Sequence, residues 1–454
     1  MPRASAFAER LHVASSFART RWRLNFRDRR ALEAYQQRAL HRFLAEIAPR
    51  APRFRGRSFA RIEDVPAMDK AAMMADFCAY NTLGITHDEA MAVALEAERS
   101  RDFSPAIGDA TVGLSSGTSG RRGLFLVSSA ERMQWAGAVL ARMLPAAAIG
   151  RIATPWMPPI RIAFFLRANS NLYRTVASRR IEFRFFDLTA GLAGAAVELN
   201  AWKPDALIAP PTVLAFLAAQ ALDGRLAIAP EKVISVAEVL EDADARSVRA
   251  AFGCATDQIY QATEGFLGYT CERGSLHLNE ALMHVETEWL DAAKTRFHPV
   301  ITDFSRHAQL IVRYRLDDIL RAAPHPCACG RAERTIAAIE GRADEIVSLP
   351  LLEGGEPAAI FPDALRHAVA GAGESIEHYA IDADGDRWRV AIEASPEASF
   401  EGACREAETA LRALCRRHRV RAPAFAFARW SPPKPGEKRR RIAVRRVPED
   451  APCA

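Results

Sequence analysis

The run Thr111-Val112-Gly113-Leu114-Ser115-Ser116-Gly117-Thr118-Ser119-Gly120-Arg121-Arg122-Gly123 concentrates small hydroxyl and glycine residues and carries two arginines near its end. Glycines let successive backbone N–H groups curl into one concavity, Ser and Thr hydroxyls add donors, and arginine supplies charge. The run therefore reads as a loop for a polyphosphate. It is not a Walker A loop, because G-x-x-x-x-G-K-[ST] fails here: Ser115 stands five residues before Gly120, and Arg121 follows it. The alternative is a flexible Ser/Gly turn between two strands.

Two further groups could share a ligand with this loop. In Gln258-Ile259-Tyr260-Gln261-Ala262-Thr263-Glu264-Gly265 a strand ends at polar residues, and parallel sheets bind ligands at the C-terminal ends of their strands. Tyr260, Thr263 and Glu264 would then reach one ligand; otherwise they form a strand-to-turn junction with an incidental acid. Leu310-Ile311-Val312-Arg313-Tyr314-Arg315-Leu316-Asp317-Asp318-Ile319 is an apolar strand running into charged and aromatic residues. Asp318 is suited to accept hydrogen bonds from both hydroxyls of a ribose. Soon after, Gly341-Arg342-Ala343-Asp344 has the composition of a hinge.

Of eight cysteines, five are scattered singly, as small buried hydrophobes are, and no secreted disulfide framework is visible. Cys271, His277, Cys327 and Cys329 offer three thiolates and an imidazole, the donor set of a closed tetrahedral structural zinc site. His325 is a substitute fourth ligand, and unmetallated loop thiols are the alternative.

The elements that must position these residues follow from periodicity. Residues 6–48 read as an N-terminal helical cap, and Asp69 as the N-cap of a further helix. A helix over residues 129–143 places the glycine-rich loop between a strand and a positive helix end. Strand-like runs at 161–165, 182–186, 206–209 and 232–236 alternate with helical ones, which signals an α/β domain with a largely parallel sheet. Beyond the hinge, strands at 377–383, 388–393 and 424–428 and a helix at 400–417 make a smaller α+β domain. The expected division is 1–341, with a cap to 100 and a nucleotide-binding core over 101–341, and then 342–454.

With 454 residues, 49% hydrophobic, the chain can bury large cores without staples. A net charge of +6, spread along the chain, implies only a weak preference for anions. No stretch is long and apolar enough for a membrane span, and the absence of a signal-peptide core gives a cytoplasmic expectation.

Taken together, the 115–120 loop, the Tyr260–Glu264 turn, Asp318, Gly341-Arg342 and Lys438 in Pro432-Pro433-Lys434-Pro435-Gly436-Glu437-Lys438 resemble, in order and spacing, the adenylate-forming enzymes. The likeness covers nearly the whole chain and is greatest to the phenylacetate–coenzyme A ligase and CapK-like branch, which includes relatives of deazaflavin coenzyme adenylylating synthetases. It implies that residues 115–121 (Ser115, Ser116, Gly117, Thr118, Ser119, Gly120 and Arg121) hold ATP phosphates and that Tyr260 lies on or beside adenine. It further implies that Thr263 touches the α-phosphate, Glu264 ligates magnesium, and Asp318 holds the ribose with Arg342 nearby. Lys438 would bridge carboxylate and α-phosphate, Asp344 would be the hinge of a mobile lid, and Pro210, Ala237 and Glu238 would wall a pocket for a small carboxylic acid. Two departures stand out. Arg121-Arg122 replaces the usual Lys-Pro, and Gln261 replaces the usual glycine after the tyrosine.

The implied reaction forms an acyl-adenylate from ATP and releases pyrophosphate, then transfers the acyl group to coenzyme A. An amine, hydroxyl or cofactor acceptor is the nearer alternative. The distant one is a non-catalytic nucleotide- or nucleic-acid-binding protein, suggested by Arg439-Arg440-Arg441 and Arg445-Arg446. Oligomeric state is not legible in the chain.

Overall fold

In the computed structural model, the described residues are 2–102, 104–115, 122–167, 175–192, 194–432 and 439–445, with side chains from residue 7 on. Contacts divide them into two units, residues 1–316 with 321–338, and residues 317–320 with 339–454. The fold is mixed α/β in the large N-terminal unit, with a smaller C-terminal one.

Helical spacing in the first 48 residues is realised as Pro2–Ala18 and Arg29–Arg42, each running on into a π turn. Asp28 Oδ1 caps the second helix by accepting from the Ala31 N–H at 2.7 Å, and Asp69 caps Lys70–Ala75 in the same way. The first helix lies against Ser129–Met143 at Gly137, where a Cβ would come within 2.5 Å of the Val13 carbonyl oxygen. Any side chain there would push the two helices apart.

Five strands form the parallel part of the main sheet, in the order Ile181–Asp187, Ile160–Leu166, Ala206–Ala209, Lys232–Ser235 and Thr256–Ala262. Strand side chains alternate across a sheet, so a sheet covered on both faces needs apolar residues at every position. Past Arg161 the strand Ile160–Leu166 obeys this: Ile162 and Phe164 join one core with Val139 and Leu140, while Ala163 and Phe165 join another with Leu214 and Leu217. Each such buried side chain contributes about 1.5–3 kcal/mol relative to exposure. Thr256–Ala262 then turns at Thr263-Glu264 into the antiparallel strand Gly265–Thr270, which pairs with Leu276–Leu278.

One expectation fails at the glycine-rich loop. It does not run directly into a helix but joins two antiparallel strands, Ala110–Leu114 and Leu124–Ser128, with Leu114 opposite Leu124. The helix Ser129–Met143 begins only after the second strand. Its first turn is closed by a capping box, with Ser128 Oγ accepting from the Glu131 N–H at 3.3 Å and Glu131 Oε2 from the Ser128 N–H at 2.6 Å. The apolar run Leu310–Val312 is likewise buried without being a strand.

In the smaller unit four strands lie in the order Ala424–Arg429, Arg387–Ala394, Ile376–Asp384 and Ile442–Arg445. Helix Phe400–Arg417 lays Ala403, Ala407, Leu411 and Cys415, spaced by four, into the same core as Trp388, Val390 and Ile392. Among the described residues no helix is long and apolar enough to cross a membrane.

Candidate active site

Glu264 is the centre of the arrangement in the large unit. Thr263 Oγ1 donates to Glu264 Oε2 at 2.8 Å, and Tyr314 Oη donates to Glu264 Oε1 at 2.9 Å. Each carboxylate oxygen thus has one protein donor and keeps lone pairs for another partner. Tyr314 is buried and is held by a short strand that pairs with Arg296–Thr302, while Arg313 beside it makes a two-toothed ion pair with Glu286 at 2.7 and 2.9 Å. Tyr260 is buried in the strand Thr256–Ala262, four residues before Glu264. A hard carboxylate with free lone pairs, fixed by two hydroxyls, suits a magnesium ion.

Of the phosphate-loop residues, only Ser115 and Arg122 onward are described; Ser116, Gly117, Thr118, Ser119, Gly120 and Arg121 lie outside the described residues, as does Lys438. At the loop's base the Ser115 N–H donates to the Gly123 carbonyl at 2.7 Å, and Ser115 Oγ accepts from the Gly123 N–H at 2.7 Å. Lys70 Nζ donates to the same hydroxyl at 3.2 Å. A second cation therefore stands at the loop, and Arg122 pairs with Glu98.

The residues nominated for the acid pocket follow two paired strands of the large unit, Ala206–Ala209 and Lys232–Ser235. Pro210 precedes the helix Pro211–Leu222, whose Thr212 Oγ1 donates to Glu238 Oε2 at 2.9 Å. Ala237 has φ +68°, a left-handed conformation that costs energy in a residue with a Cβ.

In the smaller unit Arg342 gathers the remaining nominees. Its Nη2 donates to Asp317 Oδ2 at 3.3 Å, and its Nε stands 4.0 Å from both Asp318 Oδ1 and Asp344 Oδ1. Arg440 Nη2 donates to Asp344 Oδ2 at 2.9 Å. Burial pushes the adjacent Glu345 carboxyl up, against the pull of Arg366. Gly341 has φ +112°, and a Cβ there would collide with Glu345 Oε2, so glycine is required where the strand Thr335–Arg342 ends.

The Cys/His set assembles in the large unit. Ligand atoms of Cys271, His277, Cys327 and Cys329 all lie within 4.8 Å of one another. Cys271 Sγ is 3.7 Å from Cys327 Sγ, and Cys329 Sγ is 3.4 Å from His277 Nε2. A tetrahedron with metal–sulfur bonds of about 2.3 Å has edges of about 3.8 Å, so the set has the size of a closed zinc site. The backbone N–H groups of Arg273, Cys329 and Arg331 point at Cys271, Cys327 and Cys329 Sγ, at 3.4, 3.4 and 3.5 Å. His277 Nδ1 lies 3.0 Å from the Glu333 carbonyl, an arrangement that turns Nε2 toward the sulfurs. Against burial, bonds from Ser275, the Cys329 N–H and His277 bring the Cys327 thiol down to about 6. Burial, then the Cys327 and Cys271 sulfurs, push Cys329 up to about 12.

No protein-family model matches the sequence, and no curated protein matches it. Solved structures do match. The crystal structure of 2-hydroxyisobutyryl-CoA ligase in the postadenylation state, in complex with 2-HIB-AMP, aligns with a TM-score of 0.64 and 16% identity over 91% of this chain and 89% of its own. Anthranilate CoA ligase AuaEII in complex with anthranoyl-AMP aligns with a TM-score of 0.51 and 12% identity, over 72% of this chain and 66% of its own. The fold is that of the adenylate-forming ligases.

Among the residues that sequence reasoning did not assign, Tyr314 touches Glu264, Lys70 touches Ser115, and Arg306 Nη1 donates to the Thr263 carbonyl at 3.5 Å, while Trp135 touches Gln261, noted before only as a departure from the motif. Lys70 carried a signal, being one of only six lysines. Tyr314 sat in a recognised motif, but its partner lies 50 positions away and no spacing rule connects them.

Proposed function

We propose that this protein activates a small carboxylic acid with ATP and passes the acyl group to coenzyme A. A carboxylate oxygen attacks the α-phosphorus, the bond from that phosphorus to the bridging oxygen of pyrophosphate breaks, and pyrophosphate leaves with the electron pair. The thiol sulfur then attacks the acyl carbon, the bond from that carbon to the phosphate oxygen breaks, AMP leaves with the electron pair, and the thiol proton is released. The observation that carries the reading is the Thr263–Glu264–Tyr314 arrangement at the end of the last parallel strand, in a fold shared with ligases that form acyl-adenylates.

In this reading Glu264 would hold a magnesium ion, whose charge would offset that of the leaving group. Thr263 meets the α-phosphate, and Tyr260 lies beside adenine. Residues 115–121 with Lys70 hold the phosphates, while Asp318 and Arg342 hold the ribose. Pro210, Ala237 and Glu238 line the acid pocket. Cys271, His277, Cys327 and Cys329 hold a structural zinc ion, with no part in the chemistry. No nucleophilic side chain is needed, since positioning and charge neutralisation carry such a reaction.

The test is ATP–pyrophosphate exchange across aryl, fatty, hydroxy and amino acids, with AMP release followed with and without coenzyme A. At least one acid is expected to support exchange, and Glu264→Gln to lower it about 100-fold or more in a folded protein. Unchanged exchange in that variant removes Glu264 from the chemistry. AMP release that never depends on the thiol favours an amine, hydroxyl or cofactor acceptor.

A further inference from the structure

Gln261 has a partner that its neighbours along the strand do not explain. Trp135 Nε1 donates to Gln261 Oε1 at 3.0 Å, from the helix Ser129–Met143. An indole N–H can only donate, so it fixes the amide with its oxygen toward Trp135 and its NH2 turned the opposite way. Among the described residues nothing accepts from that NH2. Trp135 is itself packed against an apolar cluster that includes Val139, Phe266 and Tyr269, and Ile259 packs against the same cluster. A half-buried amide donor is thus held steady beside an apolar wall, with one end satisfied and the other open.

Its position limits what can satisfy it. Gln261 stands two residues before Thr263, so their Cα atoms are at most about 7 Å apart. A ligand whose carboxylate lies at Thr263 and Glu264 would bring its first few atoms within reach of the amide. The apolar surroundings suit the body of an acid rather than its charged end.

We propose that Gln261, oriented by Trp135, selects carboxylic acids that carry a hydrogen-bond-accepting oxygen, a hydroxyl or carbonyl, within a few atoms of the carboxyl carbon. This rests on the acid-activation reading above. An acid with that oxygen pairs the amide; a plain hydrocarbon acid displaces water from the NH2 and leaves it unpaired, which weakens its use about 10- to 100-fold. Gln261 is the specificity residue, and Trp135 is a positioning residue that acts through it.

The experiment is pyrophosphate exchange by the full chain on matched pairs: isobutyrate against 2-hydroxyisobutyrate, phenylacetate against mandelate, and benzoate against 2-hydroxybenzoate. In at least one pair the hydroxylated acid is expected to have the higher kcat/KM by about 10- to 100-fold, mostly through KM. Gln261→Leu should bring that ratio close to one, and Trp135→Phe should move it part of the way, again through KM. A ratio near one in every pair that supports exchange overturns the proposal, as does an equal fall for both acids in Gln261→Leu. The wild-type ratio needs no variant, so a misfolded substitution cannot shelter the idea. Silence with every acid is a different failure, since it overturns acid activation itself and the selectivity with it.

Discussion

A carboxylate that is to hold a cation needs lone pairs in reserve and a fixed direction, and Tyr314 supplies the second without using up the first. Its hydroxyl reaches Glu264 Oε1 at 2.9 Å, while Thr263 holds the other oxygen. Hydrogen bonds to a charged acceptor are worth about 1.5–3 kcal/mol, so Tyr314→Phe should lower pyrophosphate exchange about 10- to 100-fold. Because the ring stays and only a hydroxyl is lost, the melting temperature should move little. Exchange at the wild-type rate would show that Glu264 needs no such support. At this scale residue type nominated Glu264, Thr263 and the Cys/His set, and the structure sets Thr263 against Glu264 and brings the four Cys/His ligand atoms within 4.8 Å of one another. The sequence was silent where a role depends on a partner far along the chain. Trp135 meets Gln261 across 126 positions, and Tyr314 meets Glu264 across 50.

The elements that bear Cys271 and Cys327 meet through side chains as well as backbone. Strand Leu276–Leu278 pairs with Thr335–Arg342 at Leu276 opposite Ile336, and His277 sits wholly buried between the two cysteine loops. Metal binding to such a closed set is folding free energy, because the unfolded chain does not hold the ligands together. Protein purified under mild reducing conditions should contain about one zinc per chain by metal analysis. Cys327→Ser should lower both the metal content and the melting temperature, the latter by roughly 5 °C or more. Metal-free protein, with the variant as stable as its parent, would leave the four residues as hydrogen-bonded thiols. The grouping was legible from residue types. The connection around the glycine loop was not, because Leu124–Ser128 is a short apolar run that periodicity does not separate from the helix that follows it.

At the scale of the whole chain, composition and the alternation of strand and helix pointed to a large α/β unit followed by a small α+β one, and the helix at Phe400–Arg417 was readable to the residue. What could not be read is that residues 317–320 group with the second unit, since that depends on packing and not on chain order. Lys438 ends the run Pro432-Pro433-Lys434-Pro435-Gly436-Glu437-Lys438. Two residues further on, within the small unit, Arg440 donates to Asp344. We propose, on the resemblance, that Lys438 acts in adenylation and is withdrawn before the thiol step. Lysine offers a compact charge on a flexible stem, suited to bridging a carboxylate and a phosphate as they bond and to being withdrawn afterwards. Under that mechanism Lys438→Ala should lower acyl-adenylate formation about 100-fold or more, yet leave thioester formation from supplied acyl-adenylate largely intact. Lys434→Ala, four residues earlier in the same basic run, should be mild. A solvated basic tail would make the two variants alike, and a lysine serving both steps would make both half-reactions fall together. Measuring the half-reactions separately in each variant decides among the three.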